Sequence, residues 1–309
     1  MDALTLSEDV RSELAAIEPR RACCRLAELS ALVRGAGSVH YRGGGEVAVH
    51  LDLGSAASAR RAFALLRGFG IGAEIRTYRQ RAFAREHRYE LHPGEDPRVL
   101  QTLNEAGVLD NRLAPQPVPP RRVVARPCCR AAYLRGALLA AGSVSGLRDP
   151  HLELRAHTPD GARFLANLAA EDDIRLGVVE RSHHAAVYAK GGEAVAELLG
   201  FVGAHHVALA LEEVAVVGSA RARANRLANA DHANLVRTAR SAQVELRAIR
   251  RLDRKRELEQ LPPDLREVAE LRLRNPSLSL RELASRCRPP ATKTAVHRRL
   301  KRLVRLAEL

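Results

Sequence analysis

The 309-residue chain is long enough for two or three domains, and its 46% apolar content is that of an ordinary globular protein. No apolar run nears the ~20 residues of a membrane span, and residues 1–20 carry acids without a signal-peptide core, so a cytoplasmic, membrane-free protein is expected. The net charge of +14 is uneven: residues 1–218 hold 27 basic and 26 acidic side chains, residues 219–309 hold 23 and 10, which points to a nucleic-acid-binding end or to a solvated basic helical surface.

In chain order, residues 3–18 read as an amphipathic helix through Leu4, Leu6, Val10, Leu14 and Ile17, stopped by Pro19. A helix over 22–35 follows. The alternating run 46–53 is a half-buried strand, and Gly43-Gly44-Gly45 before it suits a hairpin turn. A helix over 55–68, strands over 73–78 and 88–92 and a helix over 96–106 complete a first unit. The order is helix, two strands, helix, two strands, helix. Residues 114–127 form a linker, because 114–120 are too rich in proline for a helix or central strand. The same order then returns: a helix over 128–141, a first strand carrying Leu152 and Leu154, a helix over 160–169, strands over 175–180 and 185–189, and a helix over 193–201.

The return is a duplication. Cys23-Cys24-Arg25 recurs as Cys128-Cys129-Arg130, and the run 29–38 recurs as 134–143, both ending Gly-Ser. The same offset of 105 carries Val39 onto Val144, and Val47 and Val49 onto Leu152 and Leu154. Each run resembles the LAGLIDADG homing-endonuclease motif, a helix of small and apolar residues ending in acid-glycine. That resemblance implies two helices packed through small residues, with two acids meeting at their ends to hold Mg²⁺ for DNA cleavage. Here the acid positions are Ala36 and Ala141, and a methyl group cannot ligate a hard cation. Glu28 and Asp52 do not occupy the motif positions. The fold signal is therefore expected without the catalytic centre.

The five cysteines are two adjacent pairs and Cys287, with no Cys-x-x-Cys spacing. A zinc site joining the pairs competes with small buried thiols at each helix start, and the second reading is favoured. No metal or cofactor is expected. The pairs His183-His184 and His205-His206 fall near element ends and read as ordinary surface or core histidines rather than metal ligands.

Residues 219–260 read as a basic helical connector, with Leu235, Ala239, Ala242, Leu246 and Ile249 on one face. Its arginines bind phosphate or are simply solvated. Residues 261–309 follow as a separate all-α domain. A helix over 264–274 starts at proline and ends at Asn275-Pro276, and a capping box at 279–282 opens a second helix. Thr292 caps a third helix reaching about residue 306. This is a helix-turn-helix pattern, unless the last helix is only a basic surface. At 100° per residue, Val296, Leu300 and Leu303 face inward. Thr294, Arg298, Lys301 and Arg305 face outward, with His297 on the flank. Lys293, Thr294, His297 and Arg298 are expected to reach base edges, and Lys301, Arg302 and Arg305 to meet phosphates. Arg281 and Thr292 complete the expected DNA-contacting set.

Taken whole, the degenerate LAGLIDADG repeats with doubled Cys-Cys-Arg, the stretch Asn225-Arg226-Leu227-Ala228-Asn229 and the ending Leu261-Pro262…Ser279-Leu280-Arg281-Glu282-Leu283…Val296-His297-Arg298-Arg299-Leu300 resemble the WhiA family. The resemblance implies an α+β fold: a duplicated αββαββα body, then an all-α helix-turn-helix domain similar to sigma-factor region 4. It implies a nucleoid-associated, sequence-specific transcription regulator without nuclease activity, concerned with cell division, chromosome segregation and, in sporulating relatives, sporulation. Promoter DNA is the expected partner, together with a WhiB-type iron–sulfur regulator and RNA polymerase holoenzyme. An active homing endonuclease and a structural nucleoid or divisome protein are the competing readings.

Overall fold

The structure, a computed structural model, describes residues 5–41, 47–79, 87–94, 96–182 and 184–308. The expected glycine turn at 43–45, and Leu4, Glu46 and His183, lie outside these. The chain packs as two units, Met1–Gly218 and Ser219–Leu309.

The first unit opens with α1 (Leu6–Ala15), whose N-cap Thr5 accepts from Glu8 N. The first repeat is α2 (Ala22–Ala36), β1 (Gly37–Tyr41), β2 (Val47–Leu53), α3 (Ala56–Gly68), β3 (Ala73–Arg79), β4 (His87–Pro93) and α4 (Pro97–Glu105). Ser55 and Asp96 cap α3 and α4 through their side-chain oxygens, which fixes both starts close to the sequence reading. A four-residue helix, α5 (Arg121–Val124), sits inside the expected linker, and its Val123 and Val124 are buried. That stretch is therefore docked onto the core. The second repeat is α6 (Pro127–Ala141), β5 (Gly142–Ser145), β6 (His151–Ala156), α7 (Pro159–Ala170), β7 (Gly177–Glu180), β8 (Ala185–Lys190) and α8 (Gly192–Val202).

Each repeat folds an antiparallel sheet of the same order, β1-β2-β4-β3 and β5-β6-β8-β7. The strand carrying Leu152 and Leu154 is the second of its repeat, after β5. The register also corrects the sequence offset. Val39 pairs with Val49, but its counterpart Val144 pairs with Leu152, so the second hairpin is two residues shorter. Val49 thus corresponds to Leu152, and Leu51 to Leu154. A slip of two keeps every side chain on its face, so the offset still identified inward residues correctly.

Helices α2 and α6 are apolar nearly all round, and such a helix belongs in the middle of a core. They pack against each other through small residues. A Cβ on Gly35 would lie 2.7 Å from the Ala140 Cβ, and one on Gly136 would lie 3.0 Å from the Ala31 Cβ and 2.3 Å from the Glu28 carbonyl oxygen. Gly35 and Ala140, like Ala31 and Gly136, are equivalent positions of the two repeats. Equivalent residues meet each other only on a twofold axis, so the seam lies on the pseudo-symmetry axis of the duplication. A buried ion pair crosses it. Glu28, fully buried, accepts from Arg61 of α3 at 2.6 and 3.2 Å and from Arg135 of α6 at 3.1 Å. Arg135 also donates to the Val202 carbonyl at 3.0 Å.

Gly203, at φ 104°, ends α8 in the left-handed region. The next helix, α9 (His205–Arg254), begins at once, well before the expected residue 219. Its first amides, of His206 and Val207, donate to the Glu13 carboxylate of α1 at 2.8 and 3.1 Å. His205 and His206 are exposed on this first turn. Among the described residues, no helix is long and apolar enough to cross a membrane.

Candidate nucleic-acid interface

The second unit holds three further helices, α10 (Pro263–Arg274), α11 (Leu280–Arg286) and α12 (Lys293–Glu308). Proline opens α10. The capping box of α11 is complete: Ser279 Oγ accepts from Glu282 N, and the Glu282 carboxylate accepts from Ser279 N. Thr292 Oγ1 accepts from Ala295 N at 3.2 Å and starts α12. Leu265 and Val268 of α10, Leu283 and Ala284 of α11, and Val296, Leu300 and Leu303 of α12 are buried together. Ala248, Ile249 and Leu252, from the end of α9, and Leu258 join the same core. A boundary at residue 261 therefore falls inside the packing of the helix-turn-helix. Arg272 of α10 and Glu245 of α9, both buried, close this core with an ion pair at 2.8 Å.

Burial of Val296, Leu300 and Leu303 fixes which side of α12 looks outward. Thr294, Arg298, Lys301, Arg302 and Arg305 are exposed there, along about 17 Å of helix. Lys293, at the first turn, and Arg281, on α11, are exposed as well. None of the six cations in this group pairs with an acid among the described residues. The fold turns His297 partly inward, with its Nδ1 enclosed and unpartnered. Other cations are consumed internally: Arg299 pairs with Asp264 at 3.1 Å, and Arg286 donates to Asn275 Oδ1 at 2.7 Å. Arg288, exposed just before α12, is absent from the set expected from the sequence. Its place in the turn of a helix-turn-helix was the signal that could have included it.

The sheet faces of the first unit are different. On β2–β4, Arg88 holds Asp52 at 2.9 Å, His50 and His92 flank Glu90 at 3.6 and 3.0 Å, and Arg76 meets Glu74 at 2.9 Å. On the second sheet Arg181 meets Glu153 at 2.9 Å, and Lys190 lies over the Tyr188 ring. Arg76, Arg88 and Arg181 are thus paired with acids, while Arg79, Arg155 and Lys190 pair with none among the described residues.

Ala36 and Ala141 end α2 and α6, half-buried, where the nuclease motif would converge its acids. A cleft of about 400 Å³ beside these ends is lined by residues such as Arg34, Gly35, Tyr133, Arg155 and His157, and by no carboxylate among the described residues. Arg34 donates to the carbonyls of Gly107 and Gln116, which ties the helix end to the linker.

Comparison with known proteins follows the same three-part division. Family models match residues 22–109 as the WhiA N-terminal LAGLIDADG-like domain, 130–221 as the WhiA LAGLIDADG-like domain, and 224–307 as the WhiA C-terminal HTH domain. A probable cell division protein WhiA of Heliobacterium modesticaldum is 37% identical, covering 99% of this chain and 96% of its own. The crystal structure of full-length WhiA from T. maritima covers 99% of this chain and 98% of its own, with a TM-score of 0.59 and 25% identity. A crystal structure of the WhiA N-terminal LAGLIDADG domain matches 64% of this chain and 90% of its own, with a TM-score of 0.50 and 17% identity. With this duplicated LAGLIDADG-like body and this C-terminal helix-turn-helix, the chain belongs to the WhiA family.

Proposed function

We propose that this chain is a sequence-specific, nucleoid-associated DNA-binding regulator that reads promoter duplex with α12 and does not cleave it. The observation that carries the reading is the outward face of α12, whose exposed cations have no acid partner among the described residues while its opposite face is buried. A recognition helix that projects charge and hydrogen-bond donors has what a major groove requires. In this reading Thr294 and Arg298 face base edges, with Lys293 and the partly buried His297 beside them. Lys301, Arg302 and Arg305 face phosphates, and Arg281 and the capping residue Thr292 flank them. The working DNA unit spans residues 219–309. The first unit, nearly neutral overall and with alanines at both acid positions, serves as a scaffold. The names of the relatives extend the proposal to control of cell division, and the family resemblance extends it to chromosome segregation, sporulation in sporulating relatives, and a WhiB-type regulator and RNA polymerase as partners. The test is selection from a random duplex library with the full chain. Enrichment of one motif supports the reading. Tight binding without enrichment would make the protein a structural nucleoid component instead.

A further inference from the structure

Four cysteine sulfurs meet at the seam of the first unit. The Sγ atoms of Cys23, Cys24, Cys128 and Cys129 all lie within 4.8 Å of one another. Cys24 and Cys129 are buried, and Cys23 and Cys128 are half-buried. Each pair occupies the first turn of its helix, α2 or α6. Neither helix has a side-chain cap, and the cysteines sit in the first turn, at the positive end of each helix dipole. Arg21 Nη1 adds a donor to Cys128 Sγ at 3.7 Å.

Burial, then a hydrogen bond with Cys128, pushes Cys24 far above the ordinary thiol range. Burial, then a hydrogen bond with Cys23, pushes Cys129 up to about 11. Burial also opposes ionisation of Cys128, but hydrogen bonds from Cys24, Cys129 and Arg21 outweigh it and lower its value.

We propose that these four cysteines bind one Zn²⁺ as a structural tetrathiolate site that clamps the two repeats together. Three observations support this. The donor set is complete for closed, tetrahedral zinc, which takes four thiolates at about 2.3 Å and so needs sulfurs about 3.8 Å apart. The sulfurs are therefore already close to their bound spacing. A polynuclear iron–sulfur cluster spreads its thiolates over several metal ions and needs a wider cage. The symmetry also fits. Cys23 and Cys128, like Cys24 and Cys129, are equivalent positions on the same pseudo-twofold axis as the glycine contacts. A tetrahedron has such an axis, so one ion on it takes one pair from each repeat. Finally, the tetrathiolate carries two net negative charges, and the uncapped helix ends and Arg21 are placed to stabilise them. Binding releases the thiol protons to solvent and involves no redox step.

The test begins with metal analysis of the full chain, purified without chelators from zinc-containing medium. One zinc per chain is expected, released when a mercurial blocks the thiols. Cys23→Ser and Cys128→Ser should lose it, and Cys287→Ser should keep it. If the variants do not fold, the wild-type chain decides alone: Co²⁺ in place of zinc should give the intense visible bands of a tetrahedral CoS₄ centre. Freely titrating thiols without a cobalt spectrum, or a mass deficit of two hydrogens per disulfide between the pairs, would overturn the proposal.

Discussion

Replacing Gly136 by alanine tests the close seam between the repeats. In an exposed helix interior this change gains about 1 kcal/mol from intrinsic propensity. At Gly136 the new methyl would lie 2.3 Å from the Glu28 carbonyl oxygen and 3.0 Å from the Ala31 methyl. The nearer atom is backbone, which cannot rotate away, so α2 and α6 must part along a seam that also packs Leu29, Leu32, Leu134 and Leu138. Overpacking of this kind costs about 3 kcal/mol at the upper end of its range, leaving a net loss near 2 kcal/mol. For a unit of this size that lowers the melting temperature by about 4–8 °C. Gly200, on α8, is the control, because a Cβ there meets nothing within 4 Å. Gly200→Ala should raise the melting temperature by about 2–4 °C. Differential scanning calorimetry of both variants decides, and a rise for Gly136→Ala like that for Gly200→Ala would refute the close seam.

Other outcomes follow from the same structure. Glu28→Ala strands the buried Arg61 and Arg135 and should cost about 3–5 kcal/mol in urea denaturation. A loss below about 1 kcal/mol would mean that water reaches the pair. Ser279→Ala removes one arm of the capping box and should destabilise the helix-turn-helix by about 1 kcal/mol, read by amide exchange in α11. Full-length protein with plasmid and Mg²⁺ or Mn²⁺ should give no nicking above a matched control. Metal-dependent cleavage that co-purifies with the chain would contradict the reading of Ala36 and Ala141.

Much of this architecture was legible because local rules agreed with the tertiary ones. The capping residues Ser279 and Thr292 placed their helices to within a residue or two, and the helices read as starting at 55 and 96 begin at Ala56 and Pro97. The duplication identified α2 and α6, and the 100° rule sorted the faces of α12 correctly. What escaped the sequence depended on distant partners. The start of α9 at His205 is set by Glu13, nearly two hundred residues away, and no local cap announces it. The two-residue difference between the hairpins is invisible to a fixed offset, since a shift of two preserves the face pattern. His297 sits on the flank by angle, but packing turns it partly inward. A zinc site joining the two cysteine pairs was raised by the sequence but ranked below separate buried thiols, because each half-site is an adjacent pair and only the pseudo-twofold fold brings the halves together.

The central claim is that α12 reads bases rather than merely charge. Arg298 lies opposite the buried seam, toward the helix N-terminus, and Arg302 lies a turn further on, toward the flank. A bidentate arginine–guanine contact is worth about 1–3 kcal/mol of discrimination. The decisive measurement is a titration of Arg298→Ala and Arg302→Ala against the selected motif and a scrambled duplex at several salt concentrations. Arg298→Ala should weaken the motif roughly ten- to a hundredfold and barely change the scrambled duplex. Arg302→Ala should weaken both alike and flatten the salt slope by about one unit. Equal losses on both duplexes for Arg298→Ala would contradict base readout by this face.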